Sequence, residues 1–487
     1  MSIRRNTAYN FLGLVVPLAV SLVTIPIYLN LIGEARYGVL AIAWLLLGYF
    51  GLFDLGLGRA TAQRIAALCD SAADERVQIF WTAFTLNVGI GIVGGMLIWP
   101  IATYFFGNTF KVEDALRPEV QAAVPWLILA VPMATLSGVL SGALQGRERF
   151  FALNVISVSG TLLFQLLPLV AAMFWGASLD VLLPSALFAR LLTLFLLLER
   201  CRHHGFLGHT PTFSREQASQ LLRFGGWVTV TSFVGPMMTM LDRFIIGAIA
   251  GARAVTYYSV PFQLAERSTI IPSALTSALF PRFTSASQHE EQRLANDGLR
   301  ALVLVMTPLV AVGILFMEPF LAWWVSPYFS QQSARLGQII LLGFWANGLA
   351  TIPYAQLQAR GRPDLVAKCH LGETLPYFGL LYLGLKTFGM AGAATAFSFR
   401  VFVDFALLAG LVGILRPSLR MLFTPALLLA AAFLIATQSN PARPTWIVLI
   451  VIHLLIMLIW AWCNTPGSLK EIAFARLKPF TNFREKL

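Results

Sequence analysis

Residues 445–463 read TWIVLIVIHLLIMLIWAWC, from Thr445 to Cys463, with one histidine and no formal charge. An α-helix rises about 1.5 Å per residue, so a run of this length crosses the ~30 Å hydrocarbon core of a bilayer. A β-strand needs only ~10 residues to cross and alternates apolar with polar positions, which this run does not. It is a membrane-spanning helix. Working outward from it, comparable runs lie at 9–32, 38–58, 79–106, 121–143, 152–175, 181–199, 225–249, 254–280, 299–325, 334–357, 368–385, 390–415 and 421–437. The sequence therefore predicts an all-α polytopic membrane protein with 14 transmembrane helices.

Composition agrees. Of 487 residues, 57% are apolar and 12% charged, against ~45–50% and ~25% in soluble domains. That charge cannot cover the surface of a soluble enzyme of this size. The 37 Phe and 12 Trp exclude a disordered chain. Pro17, Pro26, Pro132, Pro168, Pro236 and Pro272 fall inside spans. Membrane helices tolerate such residues where neighbours satisfy the freed carbonyl.

With the N-terminus in the cytoplasm, 24 Lys and Arg fall in cytoplasmic segments and 7 on the opposite side. Four more, Arg190, Arg243, Arg267 and Arg400, lie inside spans. This bias places both termini inside. The net charge of +12 is then mostly a topology charge that attracts anionic lipid headgroups, and it requires no nucleic acid. Cys69, Cys201, Cys369 and Cys463 all fall at cytoplasmic loops or helix ends, so no disulfide is expected. The first apolar run is too long for a cleaved signal peptide and reads as a retained anchor.

The longest loop, 201–224, holds His203, His204 and His209. No Cys or acidic ligand stands at a metal-binding spacing, so it reads as a basic linker joining two halves. The expected organisation is a six-helix lobe at 1–200, that linker, a second lobe at 225–416, an extra helix pair at 417–463 and a cytoplasmic tail at 464–487. In the tail, Leu469, Ile472, Phe474, Leu477 and Phe480 stand among five basic residues, as in a helix lying on the inner leaflet or a frayed end.

The halves repeat. The pattern L-Q-x-R-x-R ends span four at Leu144–Arg149 and span ten at Leu357–Arg362, an offset of 213. Arg190 in span six and Arg400 in span twelve stand 210 apart, and Pro17 and Pro236 stand 219 apart. Three matches in one order indicate duplication of a six-helix unit. Six is even, so the copies are parallel repeats, an arrangement that in transporters binds substrate between lobes and rocks to alternate access.

A charge near the bilayer centre costs at least ~2.5–3.5 kcal/mol on insertion scales and normally faces protein or a wet cavity. Arg190, Arg267 and Arg400 lie near mid-span and would form an anion site for a diphosphate, since a guanidinium fork fits phosphate oxygens. Ion pairing is the competing reading: Asp404 lies one turn after Arg400. Glu266 points about 100° away from Arg267 on a helix and is a poorer partner. Arg243, beside Asp242 near the outer end of span seven, either snorkels to the headgroups or faces a cavity. Asp54 would pair with Arg59 or Arg64. His370 and Glu373 share a face of span eleven and read as a proton or sodium relay, or as a hydrogen-bonded pair near the inner interface.

Residues 31–59 read LIGEARYGVLAIAWLLLGYFGLFDLGLGR, a Gly-x-x-x-Tyr-Gly turn leading into a helix that ends Asp-x-Gly. With Asp242-Arg243-Phe244-Ile245-Ile246-Gly247, Tyr258-Ser259 and Leu279-Phe280-Pro281, most of the chain through Leu415 resembles the polysaccharide transporter family of Wzx-type flippases. Its superfamily also holds multidrug antiporters and lipid II flippases. The resemblance implies two six-helix lobes around a central cavity that is cationic in the flippases. It also implies a substrate of undecaprenyl-diphosphate-linked oligosaccharide, turned from inner to outer leaflet of the bacterial cytoplasmic membrane. The basic cavity role falls on Arg190, Arg267 and Arg400. The extra C-terminal pair resembles that of the lipid II flippases, where it helps hold the lipid tail.

The expected function is therefore transport without bond-making and without a cofactor, alongside other polysaccharide-assembly proteins. No G-x-x-x-x-G-K-[ST] phosphate loop is present, so an ion gradient (H⁺ or Na⁺) or the membrane potential is the expected energy source. Glu373, His370 and Asp404 are the candidate coupling groups. An ion-coupled drug antiporter is the rival; Glu266, Glu373 and Asp404 keep it open. A membrane polymerase or ligase would show a sizeable outer loop with catalytic groups, and the outer loops here are short.

Overall fold

The computed structural model describes residues 3–49, 54–68, 73–207, 210–438 and 443–465, and omits the side chains of 3–15, 224, 226–236 and 239. Cys69, His209, the side chain of Pro236 and the amphipathic tail lie outside the described residues. Among the described residues there is no strand. The helices are α1 (Ile3–Tyr49), α2 (Leu57–Ala67), α3 (Ala73–Tyr104), α4 (Arg117–Gly146), α5 (Phe150–Trp175), α6 (Leu179–His203), α7 (Arg215–Ile249), α8 (Ala252–Glu266), α9 (Ile270–Ser285), α10 (Gln288–Trp324), α11 (Pro327–Ala359), α12 (Pro363–Val412), α13 (Leu415–Gln438) and α14 (Pro444–Asn464). Among the described residues, ten continuous helical stretches are long and apolar enough to cross a membrane.

Two of these carry two sequence spans each. α1 holds spans one and two and breaks at Gly33 (φ 77°), and α12 holds spans eleven and twelve and breaks at Gly389 (φ 59°). Both breaks use left-handed backbone that glycine adopts without steric cost. Span two does not run as one helix to residue 58: Leu55 (φ 50°) and Gly56 (φ 69°) are left-handed, and the 11-residue α2 that follows is too short to cross. Asp54 organises the entry into α2, its carboxylate accepting the amides of Gly56 (2.7 Å) and Gly58 (3.2 Å). Arg64, once expected to pair with Asp54, donates instead to Gln217 (2.9 Å) and Gln220.

The chain forms two compact units, Met1–Ser259 and Val260–Leu487. In the first, α2 lies against α4 along Gly138, Gly142 and Gly146, one small residue per turn. A methyl group on Gly142 would meet the carbonyl oxygen of Gly58 at 2.1 Å, so the two backbones touch. Phe80, Leu140, Leu144, Cys201 and Leu221 close the core beside this contact. In the second unit, Phe262, Phe344 and Phe397 form a mutual triad with centroids 5.1–5.4 Å apart. Trp345 Nε1 donates to Thr307 Oγ1 (3.1 Å) between α11 and α10. α10 begins with a capping box in which Ser287 and Glu290 each bond the other's amide at 3.4 Å.

The internal repeat reaches the backbone. After α4, Arg149 N donates to Leu144 O (3.0 Å) and Glu148 N to Gln145 O (2.9 Å). After α11, Arg362 N donates to Leu357 O (2.9 Å) and Gly361 N to Gln358 O (3.0 Å). Both are Schellman turns on the two copies of L-Q-x-R-x-R. The pivot residue is left-handed in each, Glu148 at φ 55° and Gly361 at φ 69°. The ends of α6 and α12 match in the same way, at Gly205 and Gly413.

Candidate functional site

Arg190 sits on α6 beside a cavity of about 490 Å³ in the first unit. Ser137, Ser141 and Gln145 of α4 line it at four-residue spacing, and Asn154, Ser157 and Thr161 of α5 face them. The guanidinium lies over the ring of Phe164, 4.6 Å from its centroid. Its Nη2 donates a long bond to Leu47 O (3.4 Å), and its Nε is buried without a hydrogen-bond partner. Among the described residues no carboxylate lies within ion-pair distance of it. Phe164 continues into an aromatic wall of Trp44, Tyr28 and Tyr37 with centroids 5.2–6.3 Å apart. Tyr37 Oη and Trp44 Nε1 are likewise buried without partners. A fixed positive charge, stacked on one face and unpaired on its edge, borders a chamber of hydroxyl and amide groups. Such a chamber can hold an anion together with polyhydroxyl groups.

The second unit places four candidate groups together. Gly389 turns α12 back on itself, and Gly384 and Gly392 let the limbs approach so closely that a methyl on Gly392 would lie 2.0 Å from Gly384 O. His370 and Glu373 come from one limb, Arg400 and Asp404 from the other. His370 Nε2 is 3.3 Å from Asp404 Oδ1, and Arg400 Nη1 is 3.8 Å from Glu373 Oε2. The pairing therefore crosses the hairpin, although the sequence had suggested partners within each limb. Arg400 also lies over the rings of Tyr377 (5.4 Å) and Phe397 (5.9 Å). Glu373, Asp404 and Tyr377 are buried. An apolar cavity of about 500 Å³ between the limbs is bordered by Glu373 and Arg400.

Arg267 lies at a break in span eight, in a single 3-10 turn between α8 and α9. The break has a local cause. Pro272 lacks the amide that would bond the Ser268 carbonyl and crowds that carbonyl. Ser268 and Thr269 hydroxyls bond back to Ala265 O and Glu266 O at 2.7 Å. Arg267 is exposed and, among the described residues, makes no ion pair or hydrogen bond. Arg243 does not snorkel to the headgroups. It is buried, 3.0 Å from Asp242, over the ring of Tyr258, whose hydroxyl donates to Asp242 at 3.2 Å.

The polar lining around Arg190 went unread in the sequence, although its signal was there. Ser137, Ser141 and Gln145 recur at i, i+4, i+8, and Asn154, Ser157 and Thr161 at i, i+3, i+7, in otherwise apolar helices.

Known proteins resemble this chain over most of its length. A model described as polysaccharide biosynthesis protein matches residues 3–287. The "Putative O-antigen transporter" of Shigella flexneri is 30% identical over 409 residues, spanning 84% of this chain and 97% of its own. The lipopolysaccharide biosynthesis protein WzxC of Escherichia coli (strain K12) is 23% identical over 415 residues, with coverage of 82% and 79%. Among solved structures, the lipid II flippase MurJ in an inward closed conformation shares the fold with a TM-score of 0.75 and 13% identity, covering 93% of this chain and 98% of that one. An inward-facing multidrug resistance MATE family transporter of the MOP superfamily gives 0.68 at 13% identity, covering 85% and 98%. The fold, the repeat and these relatives agree: the chain belongs to the polysaccharide biosynthesis protein family.

Proposed function

We propose that the chain is a flippase for a lipid-linked oligosaccharide. It turns undecaprenyl-diphosphate-linked glycan from the inner to the outer leaflet of the bacterial cytoplasmic membrane for O-antigen or exopolysaccharide assembly. The observation that carries this reading is Arg190, an arginine with no carboxylate partner among the described residues, beside a chamber of hydroxyls and amides. A diphosphate supplies the missing negative charge, and sugar hydroxyls exchange water for Ser, Thr, Asn and Gln partners. Arg267, exposed on its helix break and unpaired among the described residues, is a further candidate for binding phosphate. The two six-helix lobes, 1–200 and 225–416, alternate access around the glycan while the polyprenyl tail stays in lipid. Both termini and the 201–224 linker lie in the cytoplasm.

The α12 hairpin supplies coupling. Glu373, His370 and Asp404, with Arg400 as counter-charge, take up H⁺ or Na⁺ and bias the lobes without competing for the diphosphate. The similarity to an O-antigen transporter and to a lipopolysaccharide biosynthesis protein supports this reading over the antiporter. So does the hairpin itself, where each carboxylate already faces a basic side chain and offers a cationic drug little uncompensated charge. The test is purified protein in proteoliposomes carrying a fluorescent undecaprenyl-diphosphate oligosaccharide. Protein-dependent loss of inner-leaflet label is expected. Gradient-driven extrusion of a cationic dye without glycolipid movement would establish the antiporter instead.

A further inference from the structure

Where α10 and α13 begin and α14 ends, a cavity of about 670 Å³ opens between these three helices. Its polar lining includes Asn296 and Arg300 of α10, Ser418 and Arg420 of α13, and Trp460 and Asn464 of α14. We infer that this cavity binds the phosphodiester headgroup of an anionic phospholipid.

Charge is the first argument. Arg300 and Arg420 border one cavity whose lining contains no Asp or Glu. Among the described residues neither arginine makes an ion pair or a side-chain hydrogen bond. Two cations sharing a cavity repel, and an anion between them reverses the sign of the interaction. Guanidinium groups meet phosphate oxygens in paired hydrogen bonds, and Asn296, Asn464 and Ser418 add neutral partners.

Position is the second. The cavity lies where apolar helices give way to the basic segments, beside a half-buried Trp460, which is the residue type that favours the headgroup level. Basic pockets between membrane helices at this depth suit anionic headgroups. Just above, Ile452, Leu455, Ile456 and Ile459 of α14 are exposed, giving acyl chains an apolar wall continuous with the headgroup site. The volume falls within the ~300–1,000 Å³ of ordinary ligand sites. α13 and α14 stand outside the six-helix repeats, so the ligand here is a bound lipid that seats the helix pair and is not cargo.

Native mass spectrometry of the full chain, purified and delipidated in detergent, tests this. Dioleoyl-phosphatidylglycerol, dioleoyl-phosphatidylcholine, inorganic phosphate and undecaprenyl diphosphate are the probes. One phosphatidylglycerol should bind in preference to phosphatidylcholine. The Arg300→Ala/Arg420→Ala variant should lose about tenfold in affinity for it and nothing for phosphatidylcholine. Arg293→Ala, at an exposed arginine of α10 outside the cavity, should behave as wild type. The single variants Arg300→Gln and Arg420→Gln keep side-chain bulk if the double variant does not purify, and each should lose about threefold. Unchanged phosphatidylglycerol binding in the variants overturns the proposal. Displacement by millimolar phosphate would reduce the site to a free-anion site, and stronger binding of undecaprenyl diphosphate would assign it to the cargo; either result also overturns it.

Discussion

Replacing Arg190 by Met keeps an unbranched chain and removes charge and donors. Inside the protein Arg190 gains little: one 3.4 Å bond to Leu47 O and a ring contact at 4.6 Å. The ring contact contributes about 0.5–2 kcal/mol. Removing an unpaired, half-buried charge offsets that, so fold stability should hardly change. Glycolipid binding should change much more. A hydrogen bond to a charged group is worth about 1.5–3 kcal/mol net, so losing the phosphate contact should weaken binding about 10- to 150-fold. Arg190→Lys keeps the charge without the planar fork and should fall between. The assay is a titration of fluorescent undecaprenyl-diphosphate oligosaccharide into detergent-solubilised protein, beside a thermal-unfolding scan. Binding within twofold of wild type for Arg190→Met, with unchanged unfolding temperature, would refute the phosphate role.

Other consequences can be tested separately. Glu148 holds a left-handed conformation that costs a non-glycine residue about 1–2 kcal/mol; Glu148→Gly should raise the unfolding midpoint and Gly361→Glu should lower it, read by thermal denaturation of the purified protein. Glu373→Gln should slow flipping and blunt its response to an imposed pH or sodium gradient while leaving glycolipid binding near wild type; a variant with normal rate and gradient response removes Glu373 from coupling. Thr212→Cys, exposed in the 201–224 segment, should react with an impermeant maleimide only after the membrane is opened, whereas buried Cys201 should resist labelling from either side.

The spans were legible because lipid imposes one strong rule: about twenty apolar residues for each helical crossing. The repeat was legible because its turns need particular local chemistry, and L-Q-x-R-x-R marks both Schellman turns. What escaped were matters of pairing across chain segments. Nothing along the sequence says that His370 faces Asp404 and Arg400 faces Glu373, because the Gly389 break sets which residues of the two limbs meet. The burial of Arg243 was hidden for a related reason: it lies over Tyr258, which arrives from α8. The left-handed step at Leu55 and Gly56 was hidden because it lies inside an apolar run.

The closed pairing within the α12 hairpin has an electrical consequence. Counted with a neutral imidazole, His370, Glu373, Arg400 and Asp404 sum to one negative charge, and a single added proton cancels it. In the proposed coupling cycle, a hairpin that takes up a proton is then silent to the membrane potential. The one that has lost it is pulled outward by a negative interior, with up to about 2.3 kcal/mol per 100 mV for a full crossing of the field. Displacement currents from this protein would therefore report the empty half of the cycle, and acidifying the compartment that reaches the hairpin should quench them.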